Sequence, residues 1–219
     1  MADSTDASTG KPGEERLFLG IVVALALVAG TGSWLAVLAL GHHEKLQSLP
    51  VDHPRQLIDF SLTDRTGRTV TRAEFQGKIL VVSFLFTSCS LTCPEVSRRM
   101  AEIQRLTAGQ DDVRLVSVTV DPRTDTVPTL AKFGGKYGAD TNRWLLLTGP
   151  KTVLYDLIGT SFLPQDNTDP FNSMPGNFTG TERIALVDKA GRTRGFFDGL
   201  NVATPAAVVA NINHLRGEP

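Results

Sequence analysis

An uncharged apolar run near the amino terminus constrains this chain more than any other feature. Residues 17–40 read LFLGIVVALALVAGTGSWLAVLAL, without one charged side chain. About 20 helical residues at about 1.5 Å each cross the roughly 30 Å hydrocarbon core of a bilayer, so this run is long enough to span it. A cleaved signal peptide has a shorter apolar region, of about 7–15 residues. No small-residue cleavage site or lipid-accepting cysteine follows the run. We therefore expect a transmembrane anchor at residues 17–40, in direct contact with the lipid bilayer.

The flanks of this run indicate its orientation only weakly. Lys11 and Arg16 precede it and Lys45 and Arg55 follow it, which is nearly balanced under the positive-inside rule. Residues 1–16 have the polar composition of a disordered tail, and a short tail is easily retained in the cytoplasm. We therefore predict a single-pass protein whose C-terminal part lies in the periplasm or another extracytoplasmic space.

The charge balance excludes one class of partner. The chain has 22 Lys and Arg against 23 Asp and Glu, a formal net charge of −1. Binding to nucleic acid usually needs a strong basic excess, so we expect no nucleic-acid partner. The chain also lacks a glycine-rich phosphate loop of the GxGxxG or GxxxxGK[ST] type, which argues against a nucleotide-dependent enzyme.

After a short linker at residues 41–54, apolar runs typical of buried strands alternate with helical stretches. Strands are expected at 79–86, 113–120 and 144–147, and helices at 94–108, 127–137, 150–158 and 204–215. Turn residues predict hairpins within 58–70 and 183–197 and a long loop at 160–180. This alternation implies a largely parallel sheet, to which the last hairpin adds antiparallel strands. We predict one α/β domain at residues 55–219, a central mixed sheet flanked by helices.

The only two cysteines of the chain lie in one turn, within FTSCSLTCP at residues 86–94. In a helical turn, residues four apart have Cβ atoms about 5–6 Å apart, and modest adjustment brings such a pair within disulfide reach. A thiolate at a helix N-terminus is also stabilised by the helix dipole. Cys89 and Cys93 therefore suit a catalytic dithiol, a Cu(I) site that needs a further ligand, or a structural pair. The spacing alone leaves these three readings open.

With these motifs, the chain resembles the Sco/SenC family of membrane-anchored, thioredoxin-fold proteins linked to copper delivery to cytochrome c oxidase. The resemblance rests on the anchor and on three further segments: GKILVVSFLFTSCSLTCP at 77–94, SVTVDPRTDTVPTLAKFGGKYG at 117–138 and RIALVDKAGRTRGFFDG at 183–199. It implies a thioredoxin-like domain outside the cytoplasm, with copper as the metal and Cys89 and Cys93 as its ligands.

The resemblance also implies a partner, the membrane-bound oxidase subunit that carries the copper-A site. Cys89 and Cys93 would deliver copper to that site or reduce its cysteines. The alternative is an enzyme, a thiol–disulfide oxidoreductase with no copper role, in which the same two cysteines are catalytic. In that case Cys89 is expected to attack, because it is nearer the exposed start of the turn. No separate cofactor-binding residues are predicted.

One copper ligand of the family pattern is missing. In the family, a histidine lies just before the strand that ends in Leu-Val-Asp. Counting back from Asp188, this place holds Gly180, followed by Thr181, and no histidine occurs between His53 and His214. Two thiolates can hold Cu(I), whereas Cu(II) prefers more nitrogen or oxygen ligands. The sequence therefore predicts weak binding of Cu(II).

A few other side chains offer donor atoms. Met174 has a soft sulfur and Glu182 an oxygen, although packing in the loop is the simpler role for Met174. His42–His43 adjoin the predicted span, where a polar flank is expected. Asp121 follows the second buried strand, so we expect it to point toward the cysteine turn and to tune a thiol or hold the turn by a hydrogen bond. The simpler role in this segment is to cap the next helix, through Asp125 or Thr126.

Overall fold

Three almost fully buried runs form the parallel centre of a sheet in the computed structural model, which describes residues 49–50, 54–162 and 181–217. These are β4 (Ile79–Leu85), β5 (Val113–Thr119) and β6 (Trp144–Thr148), with β5 between the other two. Strands covered on both faces are typically continuous apolar runs rather than alternating ones. The three strands expected from the sequence are thus confirmed.

Antiparallel strands extend this centre on both sides. On one side β7 (Arg183–Val187) pairs with β4, β8 (Thr193–Asp198) pairs with β7, and β1 (Leu49–Pro50) pairs with β8. On the other side β2 (Ser61–Asp64) pairs with β6, and β3 (Thr69–Thr71) with β2. Within the described residues the order is β1-β8-β7-β4-β5-β6-β2-β3. The predicted mixed sheet and both hairpins are confirmed, and β1 comes from the predicted linker.

Helices cover both faces of the sheet. On one face, α1 (Thr92–Leu106), α2 (Val127–Lys136) and α4 (Thr204–Gly217) bury an apolar cluster that includes Met100, Leu130 and Ile212. On the other face lie α3 (Lys151–Phe162) and a 3-10 turn at Arg72–Phe75, with a second cluster beneath them. The domain is therefore a three-layered α/β structure with two apolar cores.

Helix α3 is longer than the sequence predicted. It continues to Phe162, into the region expected to be loop, because the Phe162 ring packs edge-on against Phe84 with 5.3 Å between ring centroids. The buried hydroxyl of Ser161 also accepts a hydrogen bond from the Ile58 N–H at 3.2 Å. These long-range contacts, which a local pattern does not report, stabilise the last turn.

The remainder of the predicted loop, 163–180, lies outside the described residues, as do the tail at 1–16 and the anchor at 17–40. No helix within the described ranges is both long and apolar enough to cross a bilayer.

The chain segments around the two cysteines lie together at one edge of the sheet. The carboxyl ends of β4 and β5 lie there, as expected for ligand sites of open α/β sheets. Since β7 is antiparallel to β4, its first residues reach the same edge, together with the end of β8.

Candidate thiol site

The turn between β4 and α1 places the Cys89 sulfur at the start of the helix. The Cys89 N–H donates to the Phe86 carbonyl at 3.1 Å, which closes the turn. In the first turn of α1, the Cys93 N–H donates to Cys89 Sγ at 3.2 Å. The next residue, Pro94, has no N–H to leave unsatisfied there. The sulfur thus takes the place of an N-cap acceptor, where unpaired N–H groups favour negative charge.

The two thiols differ in accessibility. Both are free thiols; Cys89 is half-buried, whereas Cys93 is only 1% exposed. The Cys93 side chain belongs to the apolar cluster beneath α1, with Val96 and Met100. A reagent or client that approaches this edge therefore meets Cys89 first.

The two thiols also differ in acidity. Burial raises the pKa of Cys89, but hydrogen bonds from the Cys93 thiol, the Thr92 hydroxyl and the N–H groups of Cys93 and Leu91 outweigh it. Together they lower the pKa from 9.0 to about 7. Burial, and then the neighbouring Cys89 sulfur, raise the pKa of Cys93 to about 12. Cys89 therefore has thiolate character near neutral pH, and Cys93 stays protonated.

A buried carboxylate holds the connection between β4 and this turn. Asp125 has no exposed surface, and its oxygens accept from the Thr87 N–H at 3.0 Å, from the Thr87 hydroxyl at 2.5 Å and from the Thr119 hydroxyl. Thr87 lies two residues before Cys89. Asp125 therefore anchors the turn from the segment that leads into α2.

This contact corrects one expectation from the sequence. Asp125, rather than Asp121, makes the hydrogen bonds to the cysteine turn. Of the two expected caps of α2, Asp125 and Thr126, the structure has Thr126, whose side chain accepts from the Thr129 N–H. The direction of a side chain beyond the end of a strand follows no periodicity, so the choice between two aspartates four residues apart was not accessible to pattern reasoning.

Two threonine hydroxyls connect Cys89 to the segment before β7. Thr92 Oγ1 lies 3.4 Å from Cys89 Sγ and 3.3 Å from Thr181 Oγ1. Thr181 is buried, with 5% of its surface exposed. No pattern in the sequence pointed to Thr92 or Thr181, although Thr181 directly follows the position where the family pattern has its histidine. The position of Thr181 next to that histidine position was the one sequence signal that could have pointed to its role.

Of the other predicted donor residues, Glu182 and His214 lie in the described part of the chain. Glu182 contributes its backbone carbonyl, which accepts from the Gly199 N–H at 2.6 Å. His214 lies on α4 two residues before Arg216, which is paired with Asp112 at the opposite edge of the sheet. Gly180, Met174 and His42–His43 lie outside the described residues.

The donor set of the described turn fits one oxidation state of copper. Within residues 54–162 and 181–217, no group of three or more His, Cys, Asp or Glu side chains is arranged to hold a metal ion. Two sulfurs, on Cys89 and Cys93, are available together with neutral hydroxyls. Such soft thiolates suit Cu(I), whereas the tetragonal nitrogen and oxygen set that Cu(II) prefers is not present in this part of the chain.

Comparison with known proteins identifies the family. The model of the SCO1/SenC family matches residues 51–216. This range includes the cysteine turn and every strand of the sheet except β1. The chain belongs to the SCO1/SenC family. The resemblance noted from the sequence motifs is thereby confirmed.

Two curated relatives indicate how far this Sco chain has diverged. It is 33% identical over 91 residues to the SCO1 protein homolog of Bacillus subtilis (strain 168), an alignment that covers 41% of this chain and 47% of the relative. It is 30% identical over 137 residues to Protein SCO2 homolog, mitochondrial, of Bos taurus, covering 58% and 52% respectively. The chain thus spans about half the length of these curated relatives.

Solved structures support the same fold. A SCO1/SenC family lipoprotein from Bacillus anthracis str. Ames superposes with a TM-score of 0.63 at 26% identity, covering 76% of this chain and 99% of that one. ScoI of Bradyrhizobium japonicum with copper bound gives a TM-score of 0.56 at 23% identity, covering 72% and 98%. The mixed sheet with flanking helices is therefore the thioredoxin-like fold of Sco proteins, as predicted.

Proposed function

We propose that this Sco protein acts on the copper-A site of cytochrome c oxidase, either by reducing its cysteines or by delivering copper, through Cys89 and Cys93. The observation that carries the proposal is the unequal pair of thiols in one turn, one accessible and acidic, the other buried. A solved relative, BsSco, is described as a member of the Sco family of cytochrome c oxidase assembly proteins.

The proposal includes a place in the cell. Residues 17–40 anchor the protein in the membrane, with the tail in the cytoplasm and the domain at 55–219 in the periplasm or an equivalent space. The oxidase subunit that carries copper-A is bound to a membrane too, so the anchor raises the local concentration of each protein near the other.

As a reductant, the pair works by thiol–disulfide exchange. The Cys89 thiolate attacks one sulfur of the client disulfide, and the client's other sulfur leaves as a thiolate that takes up a proton. Cys93 then loses its proton and attacks Cys89 Sγ, which releases the second client thiol. Two electrons pass to the client, which takes one proton from Cys93 and one from water, and Cys89 and Cys93 end as a disulfide.

As a carrier, the pair holds Cu(I) as cargo. Two thiolates select Cu(I) over harder ions, and the half-buried position of Cys89 leaves one side of the ion open to an incoming client ligand. Solved Sco relatives from Bradyrhizobium japonicum, Arabidopsis thaliana and yeast have copper bound.

A second function, thiol–disulfide exchange with no copper role, is favoured by a specific observation. The described segment that reaches the cysteine turn from β7 presents the hydroxyl of Thr181 and no soft donor. A hydroxyl is a poor ligand for Cu(I) but a good hydrogen-bond donor to sulfur.

The experiment compares both activities on one preparation of the full chain in detergent. Cu(I) and Cu(II) are titrated separately against a competing chelator. The reduced protein is then mixed with an oxidised copper-A domain, whose free thiols are counted by alkylation. Cys89→Ser and Cys93→Ser are the site controls, and Gly180→His tests the missing ligand.

We expect one equivalent of Cu(I), bound by the parent chain and lost in both serine variants, and weak binding of Cu(II). Gly180→His is expected to strengthen Cu(II) binding by about tenfold or more, since it adds an imidazole ligand. Reduction of the copper-A domain without Cu(I) binding would support the reductant role and refute delivery of copper. Neither activity in the parent chain would refute both.

A further inference from the structure

We propose that Thr181 is a positioning residue that supports the reduced form of the cysteine pair, acting on Cys89 through the hydroxyl of Thr92. The inference rests on the proposed use of Cys89 and Cys93 as a redox pair. It goes further because it assigns a role to Thr181, the residue that follows Gly180, where the family pattern has a histidine.

The three groups form a continuous hydrogen-bonded line. Thr92 Oγ1 is within reach of Cys89 Sγ at 3.4 Å and of Thr181 Oγ1 at 3.3 Å. A hydroxyl has one proton and two acceptor lone pairs. When Thr92 donates to the sulfur, its oxygen is left to accept from Thr181, so the hydroxyl of Thr181 orients that of Thr92 toward Cys89. The backbone N–H of Cys93 adds a second bond to the same sulfur.

The surrounding contacts hold Thr181 in place. The next residue, Glu182, accepts from the Gly199 N–H at 2.6 Å. At Gly199, an added Cβ would lie 2.8 Å from Val96 Cγ2 on α1 and 2.7 Å from the Glu182 carbonyl oxygen. The end of β8, the start of β7 and helix α1 are therefore packed without spare room. This packing fixes the buried Thr181 hydroxyl relative to the first turn of α1.

The expected direction follows from the chemistry of sulfur. A reduced cysteine is a better hydrogen-bond acceptor than a disulfide sulfur, so donors aimed at Cys89 stabilise the dithiol more than the disulfide. Stabilising the reduced form makes a pair more oxidising. Loss of the Thr181 hydroxyl should therefore shift the equilibrium toward the disulfide.

The test is a redox equilibrium of the full chain in detergent with glutathione, at one fixed pH and without copper or oxidase. Each turnover transfers two electrons and two protons: the two thiols plus glutathione disulfide give the protein disulfide plus two reduced glutathiones. The fraction of disulfide is counted by alkylation and mass spectrometry across graded glutathione ratios. The variants are Thr181→Val, Thr181→Ser, Thr92→Val and the double valine variant.

We expect Thr181→Val to favour the disulfide by about threefold and Thr92→Val by about tenfold, because the 3.3 Å hydroxyl contact is long and acts indirectly. Thr181→Ser, which keeps the hydroxyl, should stay close to the parent chain. In the double variant, the second valine should add nothing, since Thr181 acts only through Thr92.

The matched control is Thr107→Val, at the other end of α1. Its buried hydroxyl donates to the Ile103 carbonyl at 2.8 Å and accepts from the Arg143 guanidinium at 3.1 Å, so the variant loses hydrogen bonds away from the cysteines. It should leave the redox equilibrium unchanged.

Three results would overturn the inference: no shift in Thr181→Val, additive shifts in the double variant, or an equal shift in Thr107→Val. In each of these cases a reversible disulfide in the parent chain leaves the proposed function intact. A parent chain that forms no disulfide at any glutathione ratio overturns the redox function itself.

Discussion

The buried carboxylate of Asp125 is expected to stabilise the cysteine turn, and its truncation gives the sharpest test of the site's architecture. Asp125→Ala removes the acceptor of the Thr87 N–H, the Thr87 hydroxyl and the Thr119 hydroxyl. A hydrogen bond to a charged group contributes about 1.5–3 kcal/mol, and a buried donor left unpaired costs about 1–3 kcal/mol. Removing a buried charge also removes its desolvation cost, which offsets part of the loss. We therefore expect a net destabilisation of about 3 kcal/mol.

Thermal unfolding of the full chain in detergent, followed by near-UV circular dichroism, measures this loss. In a chain of about 150–250 residues, 1 kcal/mol corresponds to about 2–4 °C in Tm, so Asp125→Ala should unfold about 6–12 °C lower. Asp125→Asn keeps an oxygen for Thr87 but turns an NH₂ group toward Thr119, and should lose about half as much.

The matched control for this prediction is Asp121→Ala, four residues earlier on the same segment. Asp121 is half-exposed, and it is Asp125 that accepts the hydrogen bonds of Thr87. We expect the Tm of Asp121→Ala to fall by less than about 3 °C, the range of ordinary surface substitutions. Equal losses in the two alanine variants, or an Asp125→Ala variant that melts with the parent chain, would refute the reasoning.

Two further predictions concern the thiol and the packing behind it. Alkylation of Cys89 by iodoacetamide should rise as the pH increases through about 7 and level off above about 8; at pH 7 about half of Cys89 is thiolate, against about one hundredth for a thiol with a pKa of 9.0. A midpoint near 9 in the rate profile would contradict the hydrogen-bonding pattern at this sulfur. Gly199→Ala should lower stability by about 1–3 kcal/mol, because its Cβ would lie 2.7 Å from the Glu182 carbonyl oxygen. The control Gly135→Ala, on α2 with open space around its Cβ, should leave Tm unchanged or raise it.

The strands and helices could be predicted from the sequence because the order of apolar and polar residues within each segment indicates which of its faces are buried. Ile79–Leu85 and Trp144–Thr148 are apolar except at Ser83 and Thr148, a pattern typical of strands whose two faces are both covered. The extent of α3 could not be read in the same way. Its last turn is held by Phe84 and Ile58, and both contacts depend on which strands lie beneath the helix.

The sequence also determined which thiols and imidazoles are available to the site. Both cysteines lie in one nine-residue motif at residues 86–94, and no histidine occurs between His53 and His214. These are facts of composition that no folding can alter. With the resemblance to the Sco/SenC family, they predict a pair of thiols in one turn and weak binding of Cu(II).

Only the tertiary structure decided which residues support the two thiols. Thr87 and Asp125 are 38 residues apart, and Thr92 and Thr181 are 89 residues apart. Such pairs meet because β4 lies between β5 and β7, so that a strand end and a strand start reach the same edge of the sheet. The unequal burial of Cys89 and Cys93 has the same origin, since α1 packs one sulfur into the core and leaves the other at the rim. Local patterns carry no information on sheet order or on the packing of α1, and these two decide which residues from distant parts of the chain contact the cysteine turn and which sulfur is buried.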